Sequence, residues 1–225
     1  MHRHIDQPTN FSFSEASVQN LRGGWRILTG EFSSDEKAAG AAIDFLLNRY
    51  SEKHRYYHNL NHVNALLVWA EDLKSNISDY NCVGLAIWYH DAIYDPQKND
   101  NEIESAKLAA RHLSGFGLSK NRIQKVEKMI LATQKHDAAT LDTDGKLFLD
   151  LDLSILGAGA GIYKDYSRAI RLEYSFVPED LYRESRKKIL ENFLRREFIY
   201  FSGELRARLE AAARLNIENE IKELS

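Results

Sequence analysis

Apolar residues recur at helical spacing along almost the whole chain, and this periodicity is the feature that most constrains the fold. Val63, Leu66 and Ala70, for example, would share one face of a helix. No β-type alternation extends beyond a few residues, and each of the three prolines stands where a helix could begin or has just ended. The pattern therefore predicts an all-α fold, a helical bundle. The predicted helices lie at about 35–50, 59–74, 82–91, 101–114, 119–135, 146–157, 160–175, 179–199 and 203–222.

The chain has 225 residues, a length that suits one domain with a sizeable hydrophobic core. We predict a flexible N-terminal lead over residues 1–12 and a single helical domain over residues 13–225. A net charge of −3 gives no general attraction to nucleic acid polymers or anionic membranes, and no apolar run is long enough to cross a bilayer. The single cysteine, Cys82, excludes an internal disulfide and a cysteine-rich zinc site. These features favour a cytoplasmic protein.

A histidine and an aspartate stand side by side, as His90 and Asp91, at the end of the predicted helix in AIWYHDAIYDP. Both side chains are costly to bury unless they are paired, hydrogen-bonded or bound to a metal. His58 and His62, in YYHNLNH, open the preceding helix and are four residues apart on one helical face, so one could bind a metal while the other faces the substrate or a second ion. In an antiparallel hairpin the start of the first helix lies beside the end of the second, so the sequence predicts that these side chains approach one another.

A second hairpin is expected to repeat this arrangement. His136 ends one predicted helix in TQKH, and Asp150 and Asp152 in FLDLDL stand near the start of the next. The two aspartates are about 200° apart on a helix, so we expect one direct ligand, and the sequence leaves open which. Imidazole and carboxylate ligands favour Mn, Co, Ni, Fe or Zn over Ca, while Mg fits if water completes the shell. The candidate metal ligands are His58, His90, Asp91, His136, Asp150 and Asp152.

Other site residues are predicted around this centre. A divalent ion held by histidines and carboxylates activates a water for hydrolysis, so no protein nucleophile is required. Glu102, in NDNEIESA, is the candidate general acid or base, although a carboxylate in a first helical turn also stabilises the helix dipole. Cations are needed to bind phosphate, but each candidate also suits an ordinary surface position. The candidate catalytic residues are Glu102, Arg55 and Asp91, and the candidate substrate-binding residues are Arg55, His62, Lys135 and Arg171.

The order of these motifs resembles a known superfamily. His58, a His90–Asp91 doublet 32 positions later and a later aspartate occur with RYYHNLNHV, WYHDAIYDP, NEIESA, FLDLDLSILG, IRLEYSFVP and ARLNIENE. Over about residues 20–220, this set is similar to the HD superfamily of metal-dependent phosphohydrolases, and within it to predicted hydrolases of unknown substrate. The resemblance implies a fold of the HD-domain type, with His58, His90, Asp91 and a later aspartate holding a divalent metal ion.

The resemblance also implies hydrolysis of a phosphate ester, commonly in a nucleotide. We therefore expect a metal-dependent phosphohydrolase that uses a metal-activated water on a small phosphorylated substrate. Two alternatives remain: a non-catalytic regulatory protein that binds a metal or ligand, and a di-iron oxygenase of the HD type. The identity and number of the metal ions would separate them. Apolar helices rich in Tyr and Phe near the C-terminus could also bury a homodimer face.

Overall fold

A computed structural model of the protein describes residues 14–32 and 35–225. These residues form ten α-helices and two short 3₁₀ helices with no strand among them, which confirms the all-α prediction. Among the described helices, none combines the length and the apolar composition that crossing a bilayer requires. The lead predicted over residues 1–12 lies outside the described residues. The helices are α1 (Glu15–Gly30), α2 (Glu36–Tyr50), α3 (Leu60–Asp72), α4 (Tyr80–Tyr89), α5 (Asn101–Gly115), α6 (Lys120–Thr133), α7 (Thr143–Asp152), α8 (Ala160–Glu173), α9 (Glu179–Leu194) and α10 (Gly203–Leu224), and the 3₁₀ helices are Lys74–Asn76 and Leu153–Gly157.

Helix α1 is not among the helices predicted from the sequence. It contains Gly23 and Gly24, and each glycine inside a helix costs about 1 kcal/mol relative to alanine. Tertiary contacts compensate, because Trp25 is fully buried and its indole nitrogen donates to the backbone carbonyl of Ala39 in α2 at 2.9 Å. Trp25 also packs edge-on against Trp88 of α4. Helix α1 therefore owes its place to contacts that local propensity does not reveal.

Helix α4 runs through the centre of the core. Every residue from Cys82 to Tyr89 is buried, and α1, α3, α5, α6 and α7 all pack against this helix. One continuous cluster of buried apolar side chains includes residues of all ten helices, so the described chain forms a single domain. Four of these helices, α3, α4, α6 and α7, begin or end within three residues of a candidate ligand.

The two predicted hairpins differ in how well they agree with the structure. Helices α3 and α4 pack together with the start of α3 near the end of α4, as expected. In the second pair, Asp152 is the last residue of α7 rather than a residue near its start, because α7 begins at Thr143. His136 lies in the loop that follows α6 and approaches Asp152 from there.

Helix α9 ends at Leu194, earlier than the predicted range 179–199. The guanidinium of Arg214, on α10, donates to the backbone carbonyl groups of Leu194, Arg196 and Glu197. These contacts satisfy the carbonyl groups that the end of a helix leaves without partners. A side chain from a different helix therefore stabilises this end, which periodicity within α9 does not reveal.

Candidate metal centre

Three side chains from three helices converge at one point in the bundle. His62 lies in the first turn of α3, His90 directly follows α4, and Asp152 ends α7. The Nε2 atoms of His62 and His90 are 3.1 Å apart, and Nε2 of His62 is also 3.1 Å from Oδ1 of Asp152. One ligand atom from each residue lies within 4.8 Å of the other two. This His62–His90–Asp152 group, with both histidines buried, could hold a metal ion.

Asp91 and His136 extend the group. Oδ2 of Asp91 is 3.0 Å from Nε2 of His90 and 3.8 Å from Nε2 of His62. Because α4 ends at Tyr89, Asp91 lies beyond the last regular turn, so neighbouring residues can approach the same point. Nε2 of His136 is 3.0 Å from Oδ2 of Asp152, while Oδ1 of the same carboxylate faces His62.

His136 is held in an uncommon backbone conformation. Its φ of 46° lies in the left-handed region, and among the described residues no other non-glycine residue has a positive φ. A residue with a Cβ is destabilised by about 1–2 kcal/mol in this region, whereas a glycine adopts it without this penalty. Strain of this kind is concentrated at functional sites, where a particular side chain is required. The contact with Asp152 gives His136 such a requirement.

Two ionised carboxylates face the histidines of the group. Burial acts to raise the pKa of Asp152, but hydrogen bonds from the surrounding histidines outweigh it and hold that pKa well below its usual range. Burial is likewise outweighed at Asp91, whose pKa is lowered by the charges of His90 and His58. Burial lowers the pKa of His62, whereas the carboxylates outweigh burial at His90 and raise its pKa. The group therefore contains carboxylates and a neutral imidazole, both of which are metal ligands.

The donor set fits a divalent transition metal. Two imidazole nitrogens that lie 3.1 Å apart, as in His62 and His90, require a proton or a cation between them. Nδ1 of His90 donates to the backbone carbonyl of Ile87 at 2.9 Å, which directs Nε2 toward the group. Nitrogen and carboxylate oxygen ligands together suit Mn, Fe, Co, Ni or Zn.

His58, a ligand candidate from the sequence, lies outside the group and is paired with Glu173. Its Nδ1 is 2.6 Å from Oε2 of Glu173, which also accepts the hydroxyl of Tyr94 at 2.7 Å. Oε1 accepts the backbone N–H groups of Tyr57 and His58. Burial acts to raise the pKa of Glu173, but these interactions, above all that with His58, lower it to about 2. Glu173 is not among the site residues predicted from the sequence, because a glutamate at the end of an amphipathic helix is typical of a surface position.

The structure separates the two aspartates between which the sequence could not choose. Asp152 belongs to the group, whereas the carboxylate of Asp150 accepts the backbone N–H groups of Phe201 at 2.7 Å and Ser202 at 2.6 Å. Despite these hydrogen bonds, burial raises the pKa of Asp150 to about 6. Asp150 therefore joins α7 to the start of α10, and both of its oxygens are occupied away from the group.

Two arginines that were predicted to bind substrate form ion pairs and hydrogen bonds to backbone carbonyl groups. Arg55 is buried and donates to the backbone carbonyl of Asp91 at 2.7 Å while pairing with Glu52. Arg55 therefore positions the turn that carries His90 and Asp91. Arg171 pairs with Glu179 and donates to two backbone carbonyl groups after α8. Both guanidinium groups are thus engaged by groups of the protein itself.

Glu102 and Lys135 remain near the group. Glu102 is half-buried in the first turn of α5, where burial and the charge of Asp91 raise its pKa, while the charges of His136 and His90 act in the opposite direction. Lys135, next to His136, is exposed and forms no ion pair among the described residues. Both positions therefore stay compatible with a role in the site.

A cavity of about 750 Å³ opens beside the group, and we call it the chamber. His58, His136 and Asp152 line one part of it, and most of the remaining wall is apolar. Four buried side-chain atoms of the described chain lack a hydrogen-bond partner, and three of them belong to residues that line the chamber. Such atoms cost about 1–3 kcal/mol each when nothing satisfies them, so the chamber suits a ligand with both apolar and polar parts. The three atoms are the hydroxyls of Tyr57 and Tyr182 and Nη1 of Arg196.

The fold and the site define an all-α, single-domain protein with a buried histidine–aspartate group that could hold a metal ion. The chain matches no protein-family model, no curated protein and no solved structure.

Proposed function

We propose that this protein is a metal-dependent phosphoric ester hydrolase that acts on a small phosphorylated compound, with a nucleotide as the favoured substrate class. The observation that carries the proposal is the His62–His90–Asp152 group, which meets Asp91 and His136 beside a cavity. The motif order that resembles the HD superfamily supports the same function. In the structure, however, it is His62 rather than His58 that meets His90.

His62, His90, Asp91 and Asp152 would hold the ion, and His136 would hold the second oxygen of Asp152. When bound, a divalent ion lowers the pKa of a coordinated water and polarises a phosphoryl oxygen. The protein contributes orientation, since the backbone contact of His90 fixes its ring.

His58 is the best placed residue to move a proton. It lines the chamber, and its Nδ1 is engaged by Glu173, so Nε2 is the nitrogen that can exchange a proton with a substrate. Burial acts to lower the pKa of His58, but Glu173 outweighs it and raises that pKa. A protonated imidazole can donate to the oxygen of a leaving group. Glu102 is the second candidate, because the charges of Asp91 and His136 reach it.

The test is metal analysis of the purified protein combined with phosphate release from nucleotides and sugar phosphates, with each candidate metal added in turn. His90→Asn retains an amide that can donate to the carbonyl of Ile87 but removes Nε2, so we expect metal binding and release to be lost while the helices persist. His112→Asn is the matched control, because Nδ1 of His112 bonds the hydroxyl of Tyr89 and the residue lies outside the site.

Metal-dependent release that disappears in His90→Asn but not in His112→Asn is the expected result. Undiminished release by His90→Asn would rule out the proposed mechanism. Bound metal without release from any phosphate would instead favour a regulatory protein that uses the metal for sensing.

One observation favours a second function, a di-iron oxygenase. The two oxygens of Asp152 face different histidines, with Oδ1 at His62 and Oδ2 at His136. If two iron ions were bound, Asp152 would help to hold them together with His62 and His136, and the iron would supply the oxygen chemistry. Two equivalents of iron together with substrate-dependent oxygen consumption would support this function, and a single redox-inactive ion would exclude it.

A further inference from the structure

A second cavity, of about 620 Å³, adjoins the candidate metal centre, and we call it the cationic cavity. Lys135, His136 and Arg196 line both this cavity and the chamber, so the two spaces share a wall. His136 in that wall contacts Asp152 of the metal group. Four cationic side chains line the cationic cavity: Lys135, Lys146, Arg196 and Arg206.

The two arginines are held in place without a carboxylate. Nη2 of Arg196 donates to the backbone carbonyl of Lys135 at 3.3 Å, and its guanidinium lies 4.8 Å from the ring centroid of Phe193. Arg206 donates to the carbonyl groups of Tyr200 and Phe201, and its guanidinium lies 3.6 Å from the ring centroid of Phe198. Neither guanidinium forms an ion pair, although the charge of Arg206 acts on the carboxyl group of Asp150 and the charge of Asp137 acts on Arg196.

This arrangement departs from the rest of the described chain. The other arginines there that donate a hydrogen bond also form an ion pair with a carboxylate, as Arg55, Arg171 and Arg186 do. The two lysines of the cavity, which are exposed, likewise form no ion pair with described residues. The cavity thus has four cations without an ion pair and two carboxylates, Asp137 and Glu197, and the excess of positive charge favours an anion.

Arg196 gives this site its most specific feature. Its Nη1 is buried and has no hydrogen-bond partner. Burial lowers the pKa of Arg196, and the charge of Asp137 opposes this without forming an ion pair. Glu197 also lines the cavity and forms no ion pair with the described cations. A guanidinium with one N–H group that has no partner can donate to an oxygen of a phosphate or carboxylate.

We propose that the cationic cavity is a subsite for a second phosphate-type group of the substrate, while the group to be hydrolysed lies at the metal centre. This inference rests on the proposed function, because it assigns the second anion to the same ligand. The two sites are adjacent, because His136 lines the cationic cavity and also contacts Asp152 of the metal group, so one ligand with two anionic groups is of suitable size. The substrate class is therefore a compound with two separate anionic groups.

The test compares two probes that differ only in a second phosphate, adenosine 5′-monophosphate and adenosine 3′,5′-bisphosphate. Their dissociation constants are measured by calorimetry on the full chain with Mn added, and inorganic pyrophosphate is tested for competition. In Lys135→Gln/Lys146→Gln, both replaced side chains are exposed and free of ion pairs, so the fold should persist. Lys120→Gln/Lys128→Gln removes the same charge from exposed positions of α6 and is the matched control.

We expect the bisphosphate to bind at least about tenfold more tightly than the monophosphate, which corresponds to about 1.4 kcal/mol. This preference should disappear in the Lys135/Lys146 variant and in Arg196→Gln, and it should persist in the control and in Arg195→Gln. Equal affinities in the wild type, or the same loss in the control, would overturn the inference. If pyrophosphate binds the cavity without competing with the bisphosphate, the inference is also overturned. The anion that the cavity binds would then be a separate ligand and not a part of the substrate.

The two proposals fail in different ways. If the protein releases phosphate from monoesters but shows no preference for a second phosphate, the hydrolase proposal stands and the subsite proposal fails. If the bisphosphate binds tightly in a way that depends on Arg196, but no phosphate compound is turned over, the subsite proposal stands and the hydrolase proposal fails.

Discussion

Oε2 of Glu173 lies 2.6 Å from Nδ1 of His58, although the two residues are 115 positions apart in the chain. One residue ends α8 and the other precedes α3, so only the packing of those helices brings them together. A carboxylate on one imidazole nitrogen sets the tautomer and raises the basicity of the other. The contact therefore makes His58 suited to exchange a proton at Nε2.

Glu173→Gln tests this pair. Glutamine keeps an acceptor for the backbone N–H groups of Tyr57 and His58 but removes the charge that acts on His58. We expect turnover to fall by about 10–100-fold, the range found when a carboxylate that orients a site histidine is removed. Bound metal should stay near the wild-type amount, and the pH dependence of turnover should shift. An unchanged pH profile together with unchanged turnover would show that Glu173 only supports the backbone.

Asp150→Asn and Asp152→Asn should affect different properties, namely stability and metal binding. Asp152→Asn removes a charged ligand atom from the group, so the metal content measured by elemental analysis should fall sharply while the helices persist. Asp150→Asn leaves the group intact but weakens the contacts to the start of α10, which should lower the free energy of unfolding by about 1–3 kcal/mol. Loss of metal from Asp150→Asn alone would contradict this assignment.

Gly157→Ala should destabilise the fold. A Cβ at this position would lie 2.6 Å from Cβ of Leu209 and 2.8 Å from its backbone oxygen, which cannot move without shifting α10. We expect a loss of about 1–3 kcal/mol, measured by denaturant unfolding. Gly161→Ala is the control from the same glycine-rich segment, because a Cβ there meets nothing within 4 Å. Equal stability of the two variants would refute the close approach.

Glu220 should make stability depend on pH in the acidic range. Burial acts to raise its pKa, but hydrogen bonds from Arg186, Tyr163 and Ser167 outweigh it, so the pKa is lower in the folded protein. A lowered carboxyl pKa stabilises the fold above the unfolded value, about 4.3 for glutamate, and this contribution is lost as the pH falls through the folded pKa.

Glu220→Gln would leave Arg186 buried without its carboxylate, so we expect a loss of about 3–5 kcal/mol at neutral pH. The difference from the wild type should narrow as the pH falls below about 4, since Glu220 then takes up a proton in the wild type. Unfolding curves at several pH values check this expectation. The control is Glu184→Gln, the same change at an exposed ion pair of α9, where stability should hardly change. If the free energies of unfolding of the wild type and Glu220→Gln differ by the same amount at all pH values, stability does not depend on the protonation of Glu220.

The helices that the sequence predicts well are those with a strong apolar period and a local cap. Helix α2 is predicted within a residue of its observed bounds, and its start is fixed by Asp35, whose side chain accepts the N–H of Ala38. Such caps act over three or four residues and can be read from the chain. Helix α1 and the end of α9 were not predicted correctly, because contacts from Ala39 and Arg214 in other helices stabilise them.

The residues of the candidate site also divide into those that the local sequence predicts and those that contacts between helices decide. His90 and Asp91 could be recognised because the doublet is local, and the hairpin explains why a histidine of α3 lies near them. The choice of His62 over His58 depends on the direction in which each ring points at the start of α3, and Glu173 from α8 settles the direction of His58. The position of Asp150 outside the group depends likewise on the residues just before α10, because the backbone N–H groups of Phe201 and Ser202 occupy its carboxylate.

Periodicity, caps and adjacent ligand types thus establish from the chain alone an all-α protein with histidines and carboxylates at helix ends, because these signals span only a few residues. Contacts between residues far apart in the chain decide which of those side chains meet in the metal group. The same contacts decide which side chains stabilise the packing of the helices. Examples are the 115 positions between His58 and Glu173 and the 51 between Asp150 and Phe201. Such contacts form only when the helices pack, since each buried polar atom must find its partner in the completed core.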